Sequence, residues 1–209
     1  MPGDARPHLT RADPRRPRGV VLMLHGGAED NTEFVDGRSR SWLRSRLMML
    51  QLQRGLRRQG LSVWLLRYRY VGWNARSSEH SPVPDARWAL ERVRVAHGAV
   101  PVVVLGHSMG ARSALAVADD RAVVGVVALA PWFPAGEDVG PLAGKVLRAA
   151  HGRADDITSF DATAAFVRRA TARGIDATLA DMGDVGHYML RSLTHWNRFA
   201  RDEVLALLG

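Results

Sequence analysis

Short apolar runs alternate along this chain with longer stretches in which apolar residues recur at helical spacing. The alternation predicts a mostly parallel sheet with helices on both faces. The runs are too short for helices and rich in Val and Leu, as expected of strands that are buried on both faces. The predicted strands are Gly19–Leu24, Leu61–Arg67, Pro101–Leu105, Val123–Leu129, Lys145–Ala149 and Asp176–Ala180. The predicted helices are Ser41–Arg58, Pro84–Ala96, Met109–Ala118, Phe160–Ala172 and Leu190–Leu208.

This pattern fits a single domain, because 209 residues fall within the usual size of one compact unit. We predict an α/β fold, a three-layer α/β/α sandwich around about six to seven strands, over residues 19–209. Residues 1–18 are predicted to be a flexible basic tail, since they carry four prolines and no apolar run. The pattern leaves open whether a further strand lies within this tail.

Charge first suggests an acidic partner, because 29 Lys and Arg residues against 21 Asp and Glu give a net charge of +8. Only Lys145 is a lysine, and the arginines are spread from Arg6 to Arg201 instead of clustering on one element. A nucleic-acid site requires a clustered basic face. We therefore predict no nucleic-acid partner and interpret most arginines as solvated surface residues.

Absent features exclude several other classes of protein. The chain has no cysteine, so it has neither disulfides nor a thiolate nucleophile. No secretory signal is evident, and no apolar run reaches the roughly 18–20 residues that a membrane span requires. These observations predict a cytoplasmic protein with no membrane partner, and they give no indication of its oligomeric state.

The most informative motif is Gly-x-Ser-x-Gly at residues 106–110, which follows an apolar strand and precedes a helix rich in small residues. Strand, sharp turn and helix together are the context of a nucleophile elbow, which lifts a serine hydroxyl above the edge of a sheet. The serine needs a strained backbone there, and glycines on either side avoid collisions with the neighbouring strand and helix. Ser108 is therefore the predicted nucleophile, at a helix N-terminus whose dipole favours an oxyanion.

On this motif the chain resembles the α/β-hydrolase superfamily, in particular its small, lidless esterases and dienelactone-hydrolase-like members, from Gly19 to the C-terminus. In this superfamily an acid and then a histidine follow the nucleophile along the chain. The resemblance implies that His187, directly after the last predicted strand, is the catalytic base. It also implies that Asp155, in the segment His151-Gly152-Arg153-Ala154-Asp155, is the acid. Asp156 is the alternative, although the spacing from Gly152 favours Asp155.

The same resemblance implies an oxyanion hole and a binding pocket. Its two donors would be the backbone amides of Met109, after the nucleophile, and Gly27, in the His25-Gly26-Gly27 segment after the first predicted strand. Loops at the carboxyl ends of the strands should line the pocket. The aromatic residues that these loops supply as candidate substrate-binding residues are Tyr70, Trp73, Trp132 and Tyr188. The segment 130–144 is too short for a large cap, which favours small esters over long-chain lipids.

We therefore predict a serine hydrolase that cleaves small carboxylic esters through an acyl-serine intermediate, without a cofactor or a metal ion. The same machinery could serve a thioesterase or an acyltransferase, because a fold does not select its substrate. An alternative from another class is a non-catalytic small-ligand-binding protein on the same scaffold. Retention of nucleophile, acid, base and oxyanion loop together argues against that alternative.

Overall fold

The computed structural model describes residues 6–189 and 192–209 of the chain. Their regular elements are seven strands, five α-helices and a short 3₁₀ helix at Gly140–Leu142. The strands are β1 (His8–Ala12), β2 (Gly19–Leu24), β3 (Leu61–Arg67), β4 (Val102–His107), β5 (Val123–Leu129), β6 (Val146–His151) and β7 (Asp176–Asp181). The helices are α1 (Arg40–Arg58), α2 (Pro82–His97), α3 (Met109–Ala116), α4 (Phe160–Ala172) and α5 (Leu193–Leu208).

The strands form one sheet in the order β1-β3-β2-β4-β5-β6-β7. Only β1 runs antiparallel to its neighbour, and the other six strands are parallel. Strands β2 and β4 are buried along their whole length, as their uninterrupted apolar sequences predict. The predicted mostly parallel sheet of six to seven strands is confirmed.

Helices cover both faces of the sheet. Gly106 of β4 packs against the start of α3, whereas Gly125 of β5 lies close to Leu207 of α5. Gly125 is in register with Val103, and side chains an odd number of residues apart on a strand point to opposite faces. Helices α3 and α5 therefore lie on opposite faces of the sheet. Helix α1 packs beside α5 and α2 beside α3, which completes the predicted three layers.

Most element boundaries lie within two or three residues of the predicted ones. Helix α2 begins before the predicted Pro84, because the Ser81 hydroxyl accepts the Val83 N–H and Pro82 occupies the first turn, where it needs no hydrogen bond. The predicted start of the last helix at Leu190 lies outside the described residues, and α5 is described from Leu193.

The prediction that residues 1–18 lack regular structure is wrong for His8–Ala12, which form β1. This strand pairs along its whole length with β3, and the Trp64 Nε1–H donates a hydrogen bond of 2.7 Å to Asp13 Oδ1 just beyond it. Edge strands are only partly buried and tolerate polar residues and nearby prolines, so no apolar run marks them in the sequence. The tail therefore supplies the strand that the sequence analysis left open.

The connection between β5 and β6 contains only the short 3₁₀ helix, so no large cap covers the carboxyl edge of the sheet. None of the helices in the described part of the chain has the length and hydropathy to cross a membrane.

Candidate active site

Ser108 occupies the sharp turn between β4 and α3. Its φ of 54° and ψ of −121° lie in a backbone region that residues other than glycine rarely adopt. A Cβ on Gly106 would lie 2.4 Å from the Gly110 carbonyl oxygen, and a Cβ on Gly110 would lie 2.2 Å from that of Leu24. Both positions of the Gly-x-Ser-x-Gly motif therefore require glycine, because the strand and the helix approach each other closely there.

A continuous chain of hydrogen bonds connects Ser108, His187 and Asp155. The Ser108 Oγ lies 3.0 Å from His187 Nε2, and His187 Nδ1 lies 2.8 Å from Asp155 Oδ2. The three residues follow β4, β7 and β6, and the carboxyl ends of parallel strands meet at one edge of the sheet. Asp156, the alternative acid, is exposed and makes no such contact with His187. The arrangement can pass a proton from the serine to the imidazole while the carboxylate orients the ring.

The Asp155 carboxylate is buried, and five hydrogen-bond donors surround it. Its Oδ1 accepts the N–H groups of Ile157 at 2.9 Å and Thr158 at 2.8 Å. Its Oδ2 lies close to the rings of His187 and His151 and to the Thr158 hydroxyl. Burial alone would raise the pKa of this carboxyl, but the hydrogen bonds from His151, His187 and the two amides hold the pKa well below its usual range. Asp155 is therefore a carboxylate throughout the working pH range.

The loop after β2 lies against the serine turn. A Cβ on Gly26 would lie 3.3 Å from the Ser108 Cβ, and one on Gly27 would lie 2.1 Å from the Val71 carbonyl oxygen and 2.6 Å from the Met109 side chain. Within the described residues, the amides of Gly27 and Met109 have no recorded hydrogen-bond acceptor. The backbone of Gly27 therefore lies close to the Met109 side chain, and neither amide is occupied by an acceptor among the described residues.

Two further buried histidines hold the loops of the site. The His107 Nε2–H donates to the His187 carbonyl oxygen at 3.1 Å, and the His25 Nδ1–H donates to that of Gly26 at 2.7 Å. Burial lowers the pKa of His107 to about 3 and the pKa of His25 to about 4. Both rings are therefore neutral at neutral pH. The hydrogen bond of His107 links the end of β4 to the loop that follows β7, whereas that of His25 lies within the loop that follows β2.

The predicted pocket aromatics fall into three environments. Trp132 is close to the nucleophile along the backbone, since its backbone N–H donates to the Ser108 carbonyl oxygen at 3.3 Å. Tyr188 is 58% exposed, with its ring 5.6 Å from that of His187. Trp73 lies 6.3 Å from Trp132 and nearly perpendicular to it. Tyr70 instead packs on Phe34 and His80, which makes it part of a neighbouring aromatic cluster.

Three residues of this region were missed by the sequence analysis: His151, Thr158 and Arg112. The Arg112 guanidinium carbon lies 4.2 Å from the Trp73 ring centre and 4.5 Å from that of Trp132, and its Nε lies 2.6 Å from Glu137 Oε2. The Arg112 guanidinium therefore makes cation–π contacts with both rings of the Trp73–Trp132 pair. His151 could have been noticed from its position four residues before Asp155, whereas no local signal marks Arg112.

Comparisons with known proteins agree with this architecture. The sequence model of the Alpha/beta hydrolase family matches residues 21–208, which is nearly the whole chain. No curated protein matches the sequence significantly.

Many solved structures share the fold. One is an α/β serine hydrolase without a lid from Xanthomonas campestris, with 22% identity, a TM-score of 0.72 and coverage of 96% of this chain and 88% of that one. A thermophilic esterase from Thermogutta terrifontis, solved with butyrate, has 16% identity, a TM-score of 0.69 and coverage of 97% and 90%. Est1E from Butyrivibrio proteoclasticus, solved with ferulic acid, has 13% identity, a TM-score of 0.68 and coverage of 97% and 95%. At such identities the likeness shows a common fold.

Proposed function

The chain belongs to the alpha/beta hydrolase family, and we propose that within it this protein is a serine hydrolase that cleaves small carboxylic esters through an acyl-serine intermediate. The observation that carries the proposal is the hydrogen-bond chain from the Ser108 Oγ through His187 to Asp155, with distances of 3.0 and 2.8 Å. These distances suit transfer of the hydroxyl proton to the imidazole.

In the first half of the reaction, Ser108 Oγ attacks the ester carbonyl carbon while His187 Nε2 takes its proton. The carbonyl oxygen becomes negatively charged and accepts hydrogen bonds from the amides of Met109 and Gly27. His187 then protonates the leaving alcohol as the carbon–oxygen bond breaks, which leaves an acyl group on Ser108. Asp155 stays ionised and stabilises the imidazolium.

In the second half, His187 removes a proton from a water molecule as the water attacks the acyl carbon. The tetrahedral intermediate collapses, Ser108 Oγ recovers a proton from His187 and the carboxylic acid leaves. The absence of a large cap over the carboxyl edge and the adjacent Trp132 and Tyr188 favour a small acyl group. The Thermogutta esterase, solved with butyrate, has a similar fold and supports this choice.

A fluorophosphonate probe tests the nucleophile directly, because it labels only an activated serine. We expect labelling of the folded wild-type protein and none after Ser108→Ala, with parallel loss of p-nitrophenyl acetate hydrolysis. Ser113→Ala is the matched control on the same helix, since its hydroxyl donates to the Met109 carbonyl oxygen and lies apart from the triad. Labelling that survives Ser108→Ala, or a folded wild type that is never labelled, would favour a non-catalytic ligand-binding protein.

The choice of substrate is tested with p-nitrophenyl esters of increasing acyl length and with the matching thioesters. We expect kcat/KM to be highest for short acyl chains and higher for the oxygen ester than for the thioester. A clear preference for thioesters would instead assign the protein as a thioesterase.

A further inference from the structure

Two histidines share one oxygen of the Asp155 carboxylate. His151 Nε2 lies 3.0 Å from Asp155 Oδ2, the same oxygen that lies 2.8 Å from His187 Nδ1. His151 is fully buried and ends β6, four residues before Asp155. We infer that His151 is a positioning residue, which holds the Asp155 carboxylate in the orientation that directs His187 toward Ser108. The inference deepens the proposed function and rests on it.

The other contacts of the carboxylate do not fix Oδ2 by themselves. The backbone amides of Ile157 and Thr158 both donate to Oδ1, so they anchor only one side of the group. The Thr158 hydroxyl lies 2.9 Å from Oδ2, but it is also 3.1 Å from His187 Nδ1 and 3.4 Å from the Ala130 carbonyl oxygen. A hydroxyl has one proton to donate. His151 Nε2 lies 3.0 Å from Oδ2 and 3.3 Å from the Thr158 hydroxyl oxygen, so its N–H is nearer to the carboxylate and supplies the second ring donor to Oδ2, beside His187 itself.

The His151 ring is in turn fixed from its far side. Its Nδ1 lies 2.8 Å from the hydroxyl oxygen of Thr163 in the first turn of α4, and the Phe160 ring packs edge-on against it. In neutral His151 the Thr163 hydroxyl donates to Nδ1, and Nε2–H points at Asp155. In protonated His151 both ring nitrogens donate, and the Thr163 hydroxyl turns to the Ser159 carbonyl oxygen at 3.2 Å. Both states direct an N–H at the carboxylate, because the remaining tautomer would set a nitrogen lone pair against it.

Loss of this donor should affect turnover and leave substrate binding unchanged. Without His151, Oδ2 loses one donor and the carboxylate is held mainly by the two amides at Oδ1, so it rotates over a wider range about its Cβ–Cγ bond and His187 Nδ1 loses its acceptor for part of the time. The ring is fully buried and its contacts are with Asp155, Thr158, Thr163 and Phe160, so it is not expected to contact the substrate. Removing a group that orients a catalytic ring through an intermediate residue should lower kcat without raising KM.

The test compares His151→Leu with His151→Gln. Leucine keeps much of the volume but has no donor, whereas glutamine can carry an amide N–H close to the position of the imidazole Nε2. With p-nitrophenyl acetate we expect His151→Leu to lower kcat by about 10- to 100-fold at nearly constant KM, and His151→Gln to recover most of that loss. Equal losses in the two variants, or wild-type kcat in folded His151→Leu, would overturn the inference.

A second readout does not depend on hydrolysis. In protein labelled with ¹⁵N-histidine, proton NMR reports the His187 Nδ1–H that is hydrogen-bonded to Asp155 as a strongly downfield resonance. We expect this resonance to persist in His151→Gln and to weaken or move upfield in His151→Leu, and an unchanged resonance in the leucine variant contradicts the inference. Because this measurement needs no substrate, an inactive wild type would refute the proposed function and still leave the role of His151 decided.

Thr163→Val provides the same test if His151→Leu does not fold. It leaves His151 in place and removes the hydroxyl at its Nδ1. We expect a smaller loss of kcat in the same direction and a broadened His187 resonance, with the thermal midpoint recorded alongside. A wild-type resonance together with wild-type kcat in this variant would overturn the inference, because a His151 ring released from Thr163 would then have no effect on His187.

Discussion

Asp155 shows how a buried charge can be stable. Burial removes the carboxylate from water, which alone would favour the neutral acid. The two backbone amides and the side chains of His151, Thr158 and His187 replace that water at distances of 2.8 to 3.0 Å. In the proposed mechanism this charge stabilises the imidazolium that forms on His187.

This placement leads to a prediction about the two adjacent aspartates. Asp155→Asn should lower kcat for p-nitrophenyl acetate by about 10⁴-fold, because an amide at this position stabilises neither the imidazolium nor the required tautomer. Asp156→Asn should leave kcat close to wild type, because Asp156 is exposed and lies apart from His187. Steady-state kinetics on both folded variants is the measurement. A larger loss at Asp156 would reverse the assignment of the acid.

At the scale of elements, the turn between β4 and α3 depends on the fit between a strand and a helix. Gly106→Ala should prevent folding or lower stability by several kcal/mol, roughly 3 or more, because its Cβ would lie 2.4 Å from the Gly110 carbonyl oxygen and backbone would have to move. Gly55→Ala is the matched control. Gly55 lies within α1, and a Cβ added there would meet no neighbouring atom within 4 Å, so alanine should stabilise by about 0.5–1 kcal/mol.

Urea unfolding of the two glycine variants measures these opposite effects. The expectation fails if Gly106→Ala unfolds at the same urea concentration as the wild type, or if Gly55→Ala is the more damaging substitution.

Buried parallel strands could be predicted from the sequence because their side chains face protein on both sides. The apolar run of β2, for example, predicts its bounds correctly at Gly19 and Leu24. Strand β1 could not be predicted in this way, since it lies at the edge and its residues are only partly buried or exposed. Its position depends on pairing with β3, which lies about fifty residues further along the chain.

The residues of the candidate site also divide into those that the sequence predicts and those that depend on tertiary packing. Ser108, Asp155 and His187 could be predicted because each lies in the turn or loop that follows a recognisable strand, in the order that the superfamily shares. Their catalytic roles remain predictions. Arg112 could not be located, because its contacts with Trp73 and Trp132 depend on how three separate segments pack. The contacts of Tyr70 with Phe34 and His80 depend on tertiary packing in the same way, and its place at the pocket remains a prediction.

At the scale of the whole molecule, the buried histidines connect stability to pH. In the folded protein the pKa of His25 is about 4 and the pKa of His107 is about 3, both lowered by burial from an ordinary value of 6.5. The unfolded chain therefore binds protons at these positions before the folded protein does. The stabilisation is complete above about pH 6.5 and is lost as the pH falls toward the folded pKa values.

We expect the free energy of unfolding to fall between pH 7 and pH 5 by about 2 kcal/mol for each of these histidines. Urea unfolding at the two pH values measures the change. In His25→Gln the free energy of unfolding should fall by about 2 kcal/mol less between the two pH values than in the wild type. This difference is expected whatever the effect of the substitution on stability at pH 7. His195→Gln is the control, because His195 is exposed on α5. An equal decrease in wild type and His25→Gln would contradict this account.

The order of strands across the sheet also determines when the site can be completed. From β2 outward, β4, β5, β6 and β7 are added to one growing edge in the order in which the ribosome makes them. The turn that carries Ser108 can thus form before β5, β6 and β7 are made, whereas the proposed base, His187, follows β7. On the nascent chain Ser108 is at first without this base, and we expect the proposed hydrolytic activity to appear only after β7 and His187 have been synthesised.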